Sequence, residues 1–296
     1  MHQDLNALNK QAIATAREFT GELAWPTVLL VLVVWGLLIA DLYLFATGRL
    51  SLAPAMLLYA VVTYMSYTPL HEAAHGNIHG SHDRLQWLNS LCGYLMAPLI
   101  MVPFSTHKVE HFTHHRYTNQ PDKDPDYVVS GMRGGFLAFL VCGFRFLWVQ
   151  NTFLFRSHWA IASWRERTVY IAEVMLAIGW RVVFVTLVAQ EHAWALLVLG
   201  YLAGAFFTAY WFAYRPHHPY ADSARYQNTN SLIMPTWMKP LEWFWLGQNL
   251  HSVHHLFPRV PFYRYHALHG RIEPAMRAHG TPVIGIFDRK NVETAP

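Results

Sequence analysis

The chain has 296 residues, of which 53% are hydrophobic and only 14% are charged, and it contains 12 Trp and 15 Tyr. A water-soluble domain carries about 25% charged residues, so this composition indicates a membrane protein with aromatic side chains for the interfaces. The net charge of +4 is small, and no basic block is interleaved with aromatic residues, which argues against nucleic-acid binding. Cys92 and Cys142 form neither a CxxC pair nor a disulfide framework, and we interpret both as small buried hydrophobic residues.

The N-terminal part predicts a polar leader followed by a membrane hairpin. Residues 1–22 contain acidic and basic side chains, which is typical of a helical cytosolic leader and unlike a secretory signal. The stretches 25–46 and 51–70 contain Asp41 as their one charge. Each reaches the roughly 20 residues that a helix needs to cross a bilayer. Only residues 47–50 separate the two stretches, so they predict an antiparallel pair of spans.

Two further apolar stretches predict helices that do not cross the membrane. Residues 85–106 carry no charge and are long enough to span, but Pro98 and Pro103 interrupt a straight helix. Spanning would also put two of the histidine motifs on opposite sides of the membrane. We therefore predict an interfacial or re-entrant segment at 85–106. Residues 134–155, interrupted by Arg145, predict an amphipathic helix on the membrane surface.

The C-terminal half predicts a second hairpin, formed by residues 169–190 and 193–214. The whole chain, 1–296 with a tail at 267–296, is thus predicted to be one all-α membrane domain. It has two hairpins, hence four spans, under a histidine-rich helical cap with interfacial helices. In this topology 20 of the 22 Lys and Arg residues lie on one side. The positive-inside rule places that side, with both termini and the cap, in the cytosol, and we expect the cell inner membrane as the location.

The histidines carry the chemical signal. The chain has 19 of them, most within residues 71–79, 107–115, 217–218 and 251–255. Residues three or four apart share a helix face, so a motif HxxxH or HxxHH directs its imidazoles towards a common point. Neutral imidazole binds iron, copper, nickel and zinc. Nine candidate ligands follow, enough for two metal ions and too many for one: His71, His75, His111, His114, His115, His217, His251, His254 and His255.

Two other classes of protein are compatible with part of this pattern. Residues 71–75 fit the HExxH motif of zinc proteases, with Glu72 as the general base, but that hypothesis leaves both HxxHH motifs unexplained and stays a remote alternative. A histidine-rich metal carrier or transporter is the other. A transporter places ionisable groups inside its spans, where this chain has Asp41, Glu173 and Arg181 but no histidine.

In type, order and spacing the motifs resemble those of the integral-membrane fatty-acid desaturase and hydroxylase superfamily, whose signature is HxxxH followed by two HxxHH motifs. The resemblance covers about residues 25–266. Residues 111–126 and 246–265 look closest to the β-carotene ring hydroxylase branch, and acyl desaturases share the HHxxP ending at 254–258. His217 matches an extra histidine after the last span. The superfamily often has a polar residue four positions earlier, where this chain has Ala213.

The resemblance implies two non-haem iron ions bound by the nine histidines, with O2 as co-substrate and no catalytic residue beyond the ligands. Asp122 and Asp124 either orient imidazoles or serve as helix N-caps and solvated loop charges. A further set of side chains is expected to support the ligands through hydrogen bonds to their outer ring nitrogens. This set is His79, His107, Glu72, Glu110, Asp126 and Asn249.

The implied reaction is the oxidation of an unactivated C–H bond in a lipid-like substrate within the membrane. Such a bond gives a side chain nothing to protonate, so the oxidant must come from metal-activated O2. The favoured hypothesis is β-carotene-type ring hydroxylation, and the alternative is fatty-acyl desaturation. Two electrons must come from an external donor, a ferredoxin or a cytochrome b5 with its reductase. Its docking surface is either the acidic stretch 122–126 or the basic residues Arg259, Arg264 and Arg271.

Overall fold

Helices make up most of the part of the chain that the computed structural model describes, residues 4–287. One short parallel pair of strands, β1 (Ser231–Ile233) and β2 (Val283–Gly285), joins two loops. Single 3-10 segments include Pro125–Gly134 and Thr236–Trp245. The helices are α1 (Leu5–Arg17), α2 (Trp25–Ala46), α3 (Leu52–His75), α4 (Gln86–Ile100), α5 (Phe104–Tyr117), α6 (Phe136–Phe153), α7 (Trp164–Leu187), α8 (Ala193–Tyr214, with π-helical turns), α9 (His251–Leu256) and α10 (Tyr265–Ala278).

The predicted all-α membrane architecture is confirmed. By length and composition, four helices could cross a membrane: α2, α7, α8 and the helix from Phe136 to His158 that contains α6. Three of these coincide with predicted spans. The remaining predicted span corresponds to α3, which has 24 residues and is long enough. Its polar side chains, such as Thr63, Ser66 and Thr68, are buried inside the protein rather than exposed to lipid. Its lower apolarity therefore reflects its central place in the bundle.

Helix α3 delivers the first histidine motif to one end of the bundle, which we call the histidine end. It packs against α2, α4 and α8, and it stops at Gly76, which has φ +71°. Glycine adopts this left-handed conformation without the penalty that a Cβ would bring. The stop leaves His71 and His75, one turn apart, in the last two turns of the helix.

Helices α4 and α5 form the predicted re-entrant segment. The two helices are bent by 95° relative to each other, and the bend contains Met101 with a left-handed φ of 53°. The Nε2 atoms of His75, before the segment, and His111, within α5, are 2.9 Å apart. The chain therefore returns to the histidine end after α4, and the segment does not carry the second motif across the membrane.

Helix α6 is apolar enough to span, yet both its ends lie at the histidine end. Gly135 lines a cavity beside the end of α8, and Gln150 donates a hydrogen bond to Asp126. The rings of His114 and His217 are 4.8 Å apart, so the chain between them must cross the membrane an even number of times. Helices α7 and α8 account for two crossings, and a third crossing by α6 would put the two histidines on opposite sides. That both ends of α6 lie at the histidine end favours a course along the membrane boundary, which stays a prediction because Phe136–His158 is long and apolar enough to span. Its exposed apolar side chains include Phe136, Leu137, Phe144 and Trp148.

The two charges within α7 hold the bend between α4 and α5. The Arg181 guanidinium donates to the carbonyl oxygens of Pro98 and Leu99 at 2.7 and 2.9 Å, at the end of α4. The Glu173 carboxylate accepts from the N–H groups of Phe104 and Ser105 at 2.6 and 3.1 Å, at the start of α5. Helix ends leave such groups without intrahelical partners, and each charge also has the sign that the helix dipole favours. These charges thus have a structural role in a span.

Replacing Glu173 by Ala is expected to lower the thermal stability of the protein. The change would leave two buried N–H groups without an acceptor, and each such group costs about 1–3 kcal/mol. The temperature at which half of the detergent-solubilised protein remains monodisperse on size-exclusion chromatography should fall by about 4–8 °C. Glu191→Ala, which removes an exposed carboxylate between α7 and α8, is the matched control. An equal shift in both variants would contradict this role of Glu173.

The N-terminal helix and the C-terminal helix close the histidine end. Helix α1 packs against α10, and exposed ion pairs join Glu18 to Arg271 and Glu22 to Arg264, both at 2.6 Å. The segment between α9 and α10 covers the first histidine motif, because Arg259 donates to the carbonyl oxygen of His75 at 2.9 Å. The predicted polar leader is therefore a packed helix over residues 5–17.

Candidate metal centre

The nine candidate histidines come together at the histidine end, in two adjacent groups. They are supplied by the end of α3, by α5, by the turn after α8 and by α9. Within each group the potential ligand atoms all lie within 4.8 Å of one another, so that each group could hold a metal ion. The five-histidine group consists of His71, His75, His111, His115 and His254, and the four-histidine group consists of His114, His217, His251 and His255.

Each HxxHH motif contributes to both groups. Consecutive residues on a helix point about 100° apart, so two neighbouring histidines cannot face the same point. His115 belongs to the five-histidine group and His114 to the other, while His254 and His255 divide in the same way. The rings of His115 and His255 stack with their centroids 4.3 Å apart. The doubled histidine of the motif is therefore what joins two sites side by side.

The five-histidine group has the contacts expected of ligands around one cation. Four Nε2–Nε2 contacts of 2.9–3.0 Å link its members in a row, from His71 through His254, His115 and His111 to His75. A ring nitrogen either carries a proton or offers one lone pair. No placement of protons turns all four contacts into hydrogen bonds, because each inner member would need two partners for one proton or one lone pair. A cation that accepts all five lone pairs fits the group.

The four-histidine group is arranged in the same way around a second point. The Nε2 atom of His255 is 3.1 Å from that of His251 and 3.3 Å from that of His114. The ring of His217 lies 4.8–5.1 Å from the rings of these three residues, between centroids. Its Nε2 atom is buried and has no hydrogen-bond partner within residues 4–287. Burial lowers the pKa of His251 to about 3, which keeps this imidazole neutral and able to bind metal.

A carboxylate orients His114. Its Nδ1 donates to Asp124 Oδ1 at 2.8 Å, and Asp126 Oδ2 lies 3.8 Å away. Burial lowers the pKa of His114, but the two carboxylates outweigh burial and raise it to about 9. Without a cation the ring is then protonated on both nitrogens; Asp124 holds the proton on Nδ1, and a metal ion bound at Nε2 would displace the other proton. Asp124 also accepts from the N–H of Asp126 and caps the 3-10 segment Pro125–Gly134, so both roles considered for this residue hold.

Two neutral side chains orient further histidines. The Nδ1 atom of His254 is 2.9 Å from the hydroxyl of Tyr265, and that of His217 is 3.2 Å from Asn119 Oδ1. Asn119 itself is held because it donates to the carbonyl oxygens of Asp222 and Asn228 at 2.7 Å. With the Nδ1 of His217 donating to Asn119, its Nε2 lone pair points towards the group. These contacts give the centre an outer layer of hydrogen bonds of the kind that fixes metal-bound imidazoles.

Among the six supporting residues, only some lie beside the histidine groups. His107 stacks on His111 with centroids 5.1 Å apart, and its Nδ1 lies 3.4 Å from Gln150 Oε1 and 3.7 Å from the carboxylate of Glu110. Asp126, which accepts from Gln150 at 3.1 Å, completes a buried polar cluster behind α5. His107 belongs to neither group, and its supporting role stays a prediction.

The other three supporting residues make different contacts from those expected. The Glu72 carboxylate accepts from the side chain of Asn77 at 3.2 Å and from the N–H of Phe262 at 3.3 Å. Asn249 donates to Glu242 at 3.0 Å and to a backbone carbonyl. Neither makes a hydrogen bond to an imidazole within the described residues. His79 lies beside Arg259 in the turn after α3, outside both groups. Glu72 and Asn249 hold the loops around the centre instead.

Asn119 and Tyr265 are contacts that sequence reasoning missed. Both fall inside the two stretches used for the family resemblance, but no spacing rule relates Asn119 to His217, almost one hundred residues later. One local signal existed in the sequence: asparagine tolerates the left-handed conformation, which the structure shows at Asn119 with φ 63°. The position of Asn119 in a turn after α5 could therefore be predicted from the sequence, whereas its contact with His217 could not.

The fold and the site together define a class of protein: a multi-pass membrane protein with paired histidine groups at one end of its bundle. The chain belongs to the fatty acid desaturase family, whose model matches residues 47–287. This confirms the predicted superfamily and makes the protein a membrane oxidoreductase, for which the family implies a di-iron centre. The donor set fits that expectation, because imidazole is a good ligand for iron.

Individual relatives are named as lipid desaturases. The chain is 24% identical over 288 residues to an sn-1 oleoyl-lipid 12-desaturase of Anabaena variabilis, covering 84% of this chain and 76% of the relative. A 77-residue match, 36% identical, links it to an enzyme of the same name from a Picosynechococcus strain, covering 25% and 22% of the two chains. An sn-1 acyl-lipid omega-3 desaturase (ferredoxin) of a Nostoc strain is 30% identical over 86 residues, 24% of each chain. These names favour the acyl alternative over the β-carotene hydroxylase hypothesis.

Proposed function

We propose that the protein is an acyl-lipid desaturase that introduces a double bond into a fatty-acyl chain of a membrane lipid. In this proposal the nine histidines bind two iron ions, five at one and four at the other, and the chain acts as a single domain. The convergence of these histidines into two adjacent groups carries the proposal. The relative with the longest match, named an sn-1 oleoyl-lipid 12-desaturase, supports the substrate class.

The reaction balances with one O2 and one external donor. The acyl chain loses two hydrogen atoms, that is two electrons and two protons, as one C–C bond becomes C=C. Two further electrons from the donor and two protons from water complete the reduction of O2 to two water molecules. Bound iron supplies the activation of O2, for which no side chain is suited. The chain's own residues orient His114, His217 and His254 through their Nδ1 atoms, so that Nε2 is directed inward.

Outer hydrogen bonds determine which ring nitrogen is available in three of the nine ligands. Asp124 and Asn119 accept the Nδ1 proton of His114 and His217, and Tyr265 fixes the ring of His254. A ring held in this way does not have to reorganise when charge builds up in the site. The surrounding side chains are buried, which keeps bulk water away from the oxidant.

The geometry disfavours the zinc-protease alternative. A protease base must reach a metal-bound water, but the carboxylate of Glu72 accepts hydrogen bonds from Asn77 and from the backbone of Phe262. His71 and His75, the two histidines of the HExxH pattern, lie in a group with three further histidines. A zinc protease keeps only three protein ligands and an open position.

We place the histidine end in the cytosol, with a ferredoxin or a cytochrome b5 and its reductase as the electron donor. The cytosolic position rests on the 20 of 22 Lys and Arg residues on that side. The choice of electron donor rests on the electron balance and on the relative whose name includes ferredoxin. The inner membrane of a cell is the location that this arrangement suits.

The proposal is tested by expression in two hosts, one that makes oleoyl lipids without dienoic acids and one that accumulates β-carotene. Gas chromatography of fatty-acid methyl esters from the first host should reveal a new acid with one additional double bond, formed only when O2 is present. Pigments of the second host should remain unchanged. Ring-hydroxylated carotenoids with an unaltered fatty-acid profile would instead establish the hydroxylase function and overturn the proposal.

A further inference from the structure

The acidic stretch 122–126 offers little charge to an electron donor. Asp124 and Asp126 are buried, and Asp124 is already bound to His114. Asp122 is the one exposed carboxylate of the stretch. A docking surface for a basic partner would need several exposed carboxylates, so this candidate is disfavoured.

The basic residues of the C-terminal region divide into paired and unpaired ones. Arg264 and Arg271 form ion pairs with Glu22 and Glu18 of the N-terminal segment, each at 2.6 Å. Arg259 instead donates to a neutral acceptor, the carbonyl oxygen of His75, at 2.9 Å. It is exposed. Of the three basic residues predicted as a docking surface, Arg259 alone retains an uncompensated charge.

Arg259 is part of a larger cluster with Arg17 and Arg225, which we call the arginine cluster. The three line a surface cavity of about 340 Å³ between α1 and the segment after α9, and all three are exposed. Arg225 donates to Asn9 and to the carbonyl oxygen of Leu256, both at 3.2 Å and both neutral. Within residues 4–287 none of the three forms an ion pair with a carboxylate. The cavity therefore carries three uncompensated positive charges.

The arginine cluster lies directly over the two histidine groups. Arg259 touches the backbone of His75, a member of the five-histidine group. Arg225 touches the backbone of Leu256, the residue after His255 of the four-histidine group. A protein bound at this cavity would be separated from each group by about one residue. Arg264 also adjoins a residue that reaches the centre, since Tyr265 contacts His254, but its charge is already paired with Glu22.

We propose that the arginine cluster is the docking surface for the electron donor, and that the donor is a small acidic iron–sulfur protein. This inference rests on the proposed desaturase function, which requires two one-electron transfers per turnover: the reduced donor is oxidised, and the centre receives the electrons. Complementary charge speeds the encounter and makes it sensitive to salt. A cationic cavity beside both histidine groups selects an anionic carrier over a basic or neutral one.

The experiment changes the charge of Arg17, whose guanidinium makes no hydrogen bond within the described residues. Turnover is measured with a reduced acidic plant-type ferredoxin over a range of ionic strength. We expect Arg17→Glu to raise KM for ferredoxin about 5–10-fold at low salt and to flatten the dependence on salt, with Arg17→Gln intermediate. Arg49→Glu makes the same charge change in the exposed α2–α3 turn at the opposite end and should leave KM unchanged.

Single turnover after reduction with dithionite, which bypasses docking, separates the possible results. A loss confined to the ferredoxin assay supports the docking surface. An equal loss with dithionite, or an unchanged KM and salt dependence in Arg17→Glu, overturns it. So would an effect that depends on the phosphatidylglycerol content of nanodiscs but not on ferredoxin, since the cavity would then bind lipid. Absence of desaturated product from the wild-type protein with either reductant would instead refute the proposed function.

Discussion

Replacing His254 by Ala should abolish formation of the double bond, with a loss of more than about 100-fold, the upper end of what changing an outer hydrogen-bond partner costs. His254 is an inner member of the five-histidine group: its Nε2 lies 3.0 Å from that of His71 and 2.9 Å from that of His115. Its removal takes away one lone pair and opens a gap in the middle of the group. Iron per chain should fall from about two towards one, measured on protein purified without chelator.

The matched control is His279→Ala. His279 stacks on Tyr226, bonds to the backbone of Leu5 and belongs to neither histidine group, so product and iron content should stay near wild type. Far-ultraviolet circular dichroism should show that both variants keep their helices. Normal product from His254→Ala, alongside a complete loss in His71→Ala, would show that the two histidines do not share a site. Because zinc can occupy histidine sites during overexpression, turnover with added iron accompanies the metal count.

The histidine motifs were sufficient to predict which residues meet, because a helix face is periodic. Spacing of three or four relates His111 to His114 and His115, and the same spacing relates His251 to His254 and His255. The division of each doubled histidine between two groups follows from the helical rotation per residue, but the choice of partner does not. That His254 joins His71 while His255 joins His114 depends on how α3, α5 and α9 pack, which local patterns do not encode.

The fold was predictable to the level of hydrophobic stretches and histidine geometry. Residues 85–106 are apolar enough to suggest a span, and the requirement that two motifs share one site identified them as re-entrant. The means of holding the bend was not predictable. Glu173 and Arg181 look like defects in a membrane span, and their partners, the ends of α4 and α5, lie about 70–80 residues earlier. The sequence shows that charges inside a span are unusual, but only the structure shows that they hold the bend between α4 and α5.

The outer hydrogen bonds lie at the limit of sequence reasoning for the same physical reason. Asp124 is ten residues from His114, and an acidic residue at that distance is equally compatible with an N-cap, a loop charge or a partner for imidazole. The structure combines the first and third roles in one carboxylate. Tyr265 reaches His254 from the next helix, eleven residues later. Such contacts are determined by loop conformation, so composition and periodicity carry little information about them.

Asp124→Asn is the second change with a large expected effect, a loss of about 10–100-fold in iron affinity or turnover. An amide oxygen can still accept from His114 Nδ1, but the negative charge that favours the proton on Nδ1 disappears. The amide NH2 would also face the N–H of Asn119, which Asp124 Oδ2 now accepts at 2.8 Å. That conflict would displace Asn119, and with it the hydrogen bond that orients His217. Two ligands of the four-histidine group would thus be disturbed by one substitution.

The iron released from Asp124→Asn should therefore come from the four-histidine group alone. Asp124→Asn should release about one iron per chain at chelator concentrations that the wild-type protein resists, while the iron at the five-histidine group is retained. Asp122→Asn, an exposed carboxylate two residues earlier in the same loop, is the matched control and should leave iron release and product formation unchanged. Equal iron loss from both variants would show that the loop's overall charge matters rather than the bond to His114. Simultaneous loss of both irons from Asp124→Asn would mean that the two groups are not separately supported.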